Sequence, residues 1–118
     1  MVRHIDFGRA GEELAVTWLQ AKGYEVLERN WRHGRHEVDI IAIRDGVYHF
    51  IEVKCSRTSA YGYPEERVNK IKLKNMMRGA ATWLCRIPGK KQVQYNVLAI
   101  TISNGGTPEY AFFEDVSL

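Results

Sequence analysis

The apolar positions fall into short runs separated by turn residues, and the clearest pair lies between Glu37 and Lys54, EVDIIAIRDGVYHFIEVK, joined by Asp45-Gly46. An Asp-Gly pair tolerates the positive φ angles of a tight turn, so these runs are expected to pair as an antiparallel hairpin. Side chains alternate along a strand, which puts Glu37 and Asp39 on one face of the first run and Glu52 and Lys54 on one face of the second. Upstream, Phe7 to Lys22 has Leu14, Ala15, Trp18 and Leu19 at helical spacing, with Gly23 as a stop. Tyr24 to Trp31 reads as a strand, and Arg32 to His36 as a polar turn into the hairpin.

Downstream, Cys55 to Pro64 has the Ser, Thr, Gly and Pro content of a loop, and Pro64 suits the first turn of a second helix. That helix is expected to run to about Arg86, with Leu73, Met76, Met77, Ala80 and Leu84 on one side and Lys74 and Arg78 on the other. Pro88-Gly89 ends it, Val93 to Ile102 forms a strand, Asn104-Gly105-Gly106 turns, and Tyr110 to Val116 forms a last strand. The order is αβββαββ, which predicts a mixed sheet with helices packed on its faces.

At 118 residues, 45% hydrophobic and 26% charged, the chain has the size and composition of one globular domain spanning residues 1–118. It has no apolar run of the ~18 residues that span a membrane and no signal-peptide core near Met1, so no membrane partner and a cytoplasmic location are expected. Cys55 and Cys85 form no disulfide or zinc pattern and read as small apolar residues. His33 and His36 make a His-x-x-His spacing without cysteines, for which exposed turn histidines are the simpler account. The net charge of +3 is modest. From Glu65 to Lys91, however, eight Lys or Arg stand against two Glu, a concentration that suits either a solvated helix face or contact with a polyanion.

Acids inside apolar segments need compensation. Glu12 projects only about 20° from Leu19 on a helical wheel, inside the apolar arc, whereas Glu13 lies outside it. Such a carboxylate is paired, metal-bound or snorkelling at the margin. If Asp39, Glu52 and Glu12 converge, their mutual repulsion calls for protonation or a hard cation. Magnesium, or manganese in its place, takes oxygen ligands and leaves positions for phosphate oxygens, which suits phosphodiester hydrolysis. Lys54, one pleat beyond Glu52, would then orient water or stabilise charge on phosphorus.

Gly8-x-x-Gly11-Glu12-x-x-Ala15, Asn30-Trp31, Glu37-Val38-Asp39-Ile40-Ile41-Ala42, Glu52-Val53-Lys54 and Tyr61-Gly62-Tyr63-Pro64 together resemble the YraN-like family of predicted endonucleases over nearly the full length. Asp39, Glu52, Val53 and Lys54 match the PD-(D/E)XK nuclease signature, and archaeal Holliday-junction resolvases look similar at the same positions. The resemblance implies a restriction-endonuclease-like αβββαβ core. It further implies metal held at Asp39, Glu52, Val53 and Glu12, with Asp39, Glu52, Lys54 and Glu12 serving catalysis. The chain departs from the family pattern at His36, where Gly is usual, at Cys55-Ser56-Arg57, where Thr-Arg is usual, and at Gln94-Tyr95-Asn96, where Arg-Phe-Asp is usual.

The leading expectation is therefore a magnesium-dependent endonuclease of structured or branched DNA. Arg57, Lys70, Lys72, Lys74 and Arg78 would hold the phosphate backbone with little base reading. Its rivals are a nucleic-acid-binding module that keeps the fold without cutting, an RNA-directed nuclease, and an assembly subunit whose basic face meets an acidic protein. By analogy with junction cutters, which act on two strands, a homodimer is an alternative to a monomer.

Overall fold

The computed structural model describes residues 4–57, 70–103 and 105–117, with side chains from Arg9 onward. The chain order is α1 (His4–Ala21), β1 (Glu25–His33), β2 (His36–Arg44), β3 (Val47–Ser56), α2 (Lys70–Leu84), β4 (Gln92–Thr101) and β5 (Glu109–Phe113). The strands form one mixed sheet in the order β1-β2-β3-β4-β5. Neighbours are antiparallel except β3 and β4, which run parallel. Parallel neighbours need a crossover, and α2 lies in it. The αβββαβ core is thus present, with β5 added beside β4.

Local chemistry fixes the element ends. Gly23 has φ 91°, and its N–H and that of Tyr24 donate to the carbonyls of Gln20 and Leu19, the Schellman pattern that stops α1. Asp45 and Gly46, at φ 51° and 77°, make the expected two-residue turn. The polar stretch before the hairpin is shorter than expected. His33 pairs with His36 across a turn of Gly34 and Arg35, so β1, β2 and β3 form a continuous meander. The predicted start of the second helix, at Pro64, and the Tyr61-Gly62-Tyr63-Pro64 motif lie outside the described residues.

The helices cover opposite faces of the sheet. On one, Ala15, Val16 and Leu19 of α1 pack with Ile40, Ala42, Ile51, Leu98 and Ile100. On the other, Leu73, Met76, Ala80 and Trp83 of α2 pack with Val38, Ile41, Phe50 and Val97. Trp83 rather than Leu84 completes the buried stripe of α2, and its indole N–H donates to Glu28 at 2.5 Å. Cys55 and Cys85 are both free. Cys55 is partly buried beneath Gly11, whereas Cys85 is exposed.

One irregularity sets up the site. Strict alternation would put Val38 on the same face as Ile40, yet Val38 packs under α2 and Ile40 under α1. On β1, Arg29 reaches Glu13 of α1 while Trp31 packs on the α2 side. The residues between are Asp39 and Asn30, flanked by the Arg29–Ile40 and Trp31–Val38 pairs. Asn30 has φ 51°, a left-handed conformation that reverses the alternation. Both strands therefore exchange faces at Asn30 and Asp39.

Candidate active site

The β2–β3 ladder runs from Arg44–Val47 to Ile40–Ile51 and then stops. Continuing the register would join Val38 to Val53, but β2 has turned over at Asp39, and the two strands separate. The N–H of Val53 is satisfied instead by the Asp39 carboxylate, at 2.8 Å. In a strand the N–H and C=O of one residue point the same way, so the Val53 carbonyl also faces this gap. Asp39 is thereby fixed at the mouth of a fork.

Glu52 enters from β3, on the α2 face with Phe50, and its side chain is 8% exposed. Asp39 and Glu52 line one cavity of about 90 Å³ together with Arg35 from the β1–β2 turn, Glu37 from β2, and Lys72 and Asn75 from α2. That is room for an ion with a few waters. Lys72 Nζ lies 3.3 Å from Glu52 Oε2. Burial, then the charge of Glu52, pushes the Asp39 carboxyl up to about 7, against the opposing pull of the Val53 N–H. The ammonium of Lys72 is raised in turn, first by Glu52.

The remaining expected residues are distributed as follows. Lys54 is half-buried, on the same strand face as Glu52, but does not line the cavity. Glu12 is on α1, across the sheet from α2, and its carboxylate accepts a hydrogen bond from Asn30 Nδ2 at 2.8 Å. Among the described residues no three His, Cys, Asp or Glu side chains converge as a ready-made metal site. Arg57, Lys70, Lys74 and Arg78 are exposed. Lys72, expected among these phosphate contacts, bends into the cavity. Asn96, where the family usually has Asp, is buried away from the site, bonded to His49 Nδ1 at 2.9 Å and accepting the Asp115 N–H at 2.9 Å.

Arg35, Glu37 and Asn75 complete the cavity, and of these only Glu37 carried a signal in the sequence, as the acid two residues before Asp39. Arg35 and Asn75 occupy positions that a turn and a helix flank leave to polar residues generally, so nothing in their spacing marked them.

A profile of the uncharacterised protein family UPF0102 matches residues 11–100, from the buried glycine of α1 to the penultimate residue of β4. The chain belongs to this family. A UPF0102 protein of Chlorobium phaeobacteroides is 40% identical over 109 residues, 89% of this chain and 86% of the relative. Another, of Cytophaga hutchinsonii, is 36% identical over 100 residues, 85% and 88% of the two chains. A third, of Beutenbergia cavernae, is 41% identical over 101 residues, 84% and 85%. The family match spans Glu12, Asp39, Glu52, Lys54 and Lys72, and leaves β5 outside. Among the described residues no helix is long and apolar enough to cross a membrane.

Proposed function

We propose that this UPF0102 protein is a divalent-cation-dependent endonuclease that hydrolyses phosphodiester bonds of structured or branched DNA in the cytoplasm. The observation that carries the reading is the fork at Asp39: two carboxylates, from strands that have just parted, share one small cavity whose crowded charge favours protons or a hard cation. The donor set fits magnesium or manganese. Asp39 and Glu52 offer hard oxygens from the cavity lining and the Val53 carbonyl would add a third from the gap between the strands, which leaves the open side of the cavity for water and phosphate.

Bound there, the cation would supply Lewis acidity toward a phosphate oxygen and an attacking water. The chain's own residues do the rest. The Val53 N–H fixes the Asp39 carboxylate at the fork. Lys54, on the Glu52 face of β3 but outside the cavity lining, would swing in to orient water and to meet charge developing on phosphorus. The exposed Lys70, Lys74 and Arg78 on α2, with Arg57 at the end of β3, attract the phosphate backbone without reading bases. Cutting two strands of a junction suits a homodimer.

A cleavage panel tests this reading: single-stranded, duplex, flap and four-way DNA, plus RNA, each with and without Mg2+ or Mn2+. Cation-dependent cutting that is lost in Glu52→Gln and Lys54→Ala, with DNA binding retained, is the expected result. No cutting of any substrate under any cation would sink it.

A second reading has its own observation. Glu12 is held by Asn30 outside the cavity, and no triad of ligands stands assembled among the described residues. That arrangement suits a module that binds nucleic acid through α2 without cutting. Salt-sensitive DNA binding in wild type with no turnover would select it.

A further inference from the structure

Glu52 is the most buried acid of the cavity, yet its partner there is a lysine from another element whose side chain is 61% exposed. The geometry points to Lys72 as a resident counter-ion: it neutralises Glu52 until a divalent cation takes its place, and the displaced ammonium then meets the phosphate that the cation brings. This rests on the proposed metal-dependent function and assigns to Lys72 a role distinct from that of Lys54.

Three features support the exchange. A buried carboxylate left ionised and unpaired is strongly unfavourable, and Lys72 supplies Glu52 with a cation when no metal is bound. The cost of letting go falls on the solvated partner. With most of its side chain in water, the Lys72 ammonium loses little by swinging away on a flexible four-carbon stem. The direction of swing is also set. Lys72 and Asn75, three residues apart on one flank of α2, both line the cavity, so an ammonium leaving Glu52 stays at the rim where phosphate would enter, whereas Lys70 and Lys74 project from the opposite side of the helix.

The exchange predicts a lysine that opposes cation binding yet assists phosphate binding only after the cation is in place. The test uses the whole chain, with Lys72→Gln, Lys72→Arg and Lys74→Gln variants whose folding is checked by thermal melting. Mg2+ affinity is measured by calorimetry at pH 8.5, and four-way DNA binding is followed across a salt series in EDTA and in Ca2+. Lys72→Gln should bind Mg2+ about threefold to tenfold more tightly than wild type, while Lys72→Arg and Lys74→Gln stay near wild type. In Ca2+, Lys72→Gln should lower the slope of log affinity against log salt by about one, and in EDTA leave it unchanged. Lys74→Gln should lower the slope equally in both. Wild type that binds Mg2+ and DNA, but with a Lys72→Gln variant of unchanged or weaker Mg2+ affinity, or with an equal slope change in EDTA and Ca2+, overturns the counter-ion assignment alone. Wild type that binds no Mg2+ overturns this assignment and the metal-dependent function together.

Discussion

Asp39 accepts the backbone N–H of Val53 at 2.8 Å, so the acid that faces Glu52 also closes the sheet where β2 and β3 part. These two duties respond differently to substitution. Asn keeps an acceptor for the N–H and removes the charge, whereas Ala removes both. With a carboxyl raised to about 7 from an ordinary 3.8, the folded chain holds a proton that the unfolded chain has released. Stability from this group is therefore complete below about pH 4 and is lost as pH rises through 7. Asp39→Asn should gain on the order of 1–2 kcal/mol over wild type at pH 8 and nothing at pH 4, while Asp39→Ala should fall below Asp39→Asn at both. Thermal melts at the two pH values decide it. An Asn variant that is no more stable at pH 8 would show that Asp39 carries no excess charge.

The same proton governs cation binding. A divalent ion needs the Asp39 carboxylate ionised, so Mg2+ affinity should weaken by roughly tenfold for each pH unit below about 7 and level off above it. Calorimetric titration across this range would reveal the bend. A profile flat from mildly acid to alkaline pH would place the cation elsewhere.

Asn30 combines a left-handed backbone at φ 51° with a side chain that holds Glu12. Gly accepts that backbone without strain, so Asn30→Gly should leave stability within about 0.5 kcal/mol of wild type while freeing Glu12. Asn30→Val should cost about 2 kcal/mol or more, because a β-branched residue resists this conformation. Denaturant melts of the two variants make the comparison. Equal losses would mean that the hydrogen bond, and not the backbone, holds the site's geometry.

Gly11 lets α1 approach β3. A Cβ built there would stand 2.9 Å from Cys55 Sγ and 3.0 Å from Cys55 Cβ. Gly11→Ala should destabilise the protein by about 1–3 kcal/mol, and adding Cys55→Ala should recover part of that loss. Additive effects in the double variant would argue against this contact as the cause.

The hairpin was legible because its determinants are local: Asp45-Gly46 dictates the turn, and the turn dictates which residues face each other. That register alone placed Asp39 near Glu52. The face exchange at Asn30 and Asp39 was not legible, since alternation assumes an unbroken strand and a single left-handed residue cancels it. Lys72 resembled its neighbours Lys70 and Lys74 for a related reason. Its partner Glu52 is twenty positions away in the chain and meets it only through the crossover that carries α2 over the sheet. Asn96, a departure from the family pattern, sits apart from the acids because the face it occupies on β4 decides its neighbours, and that face holds His49 and the Asp115 N–H. Trp83 was missed because helical spacing admits either of two adjacent residues at the margin of a stripe, and the hydrogen bond to Glu28 that favours the indole comes from β1.

The strand order also bears on how two copies could meet. β1 and β5 are the outermost strands, the first carrying Glu25, Glu28, Arg29 and Arg32 along its nine residues, the second only five residues long. Charge on one flank and brevity on the other both discourage a neighbour from adding its own strand. Self-association would then proceed through side-chain surfaces, and would leave the amide protons of both flanking strands exchanging with solvent as they do in the monomer.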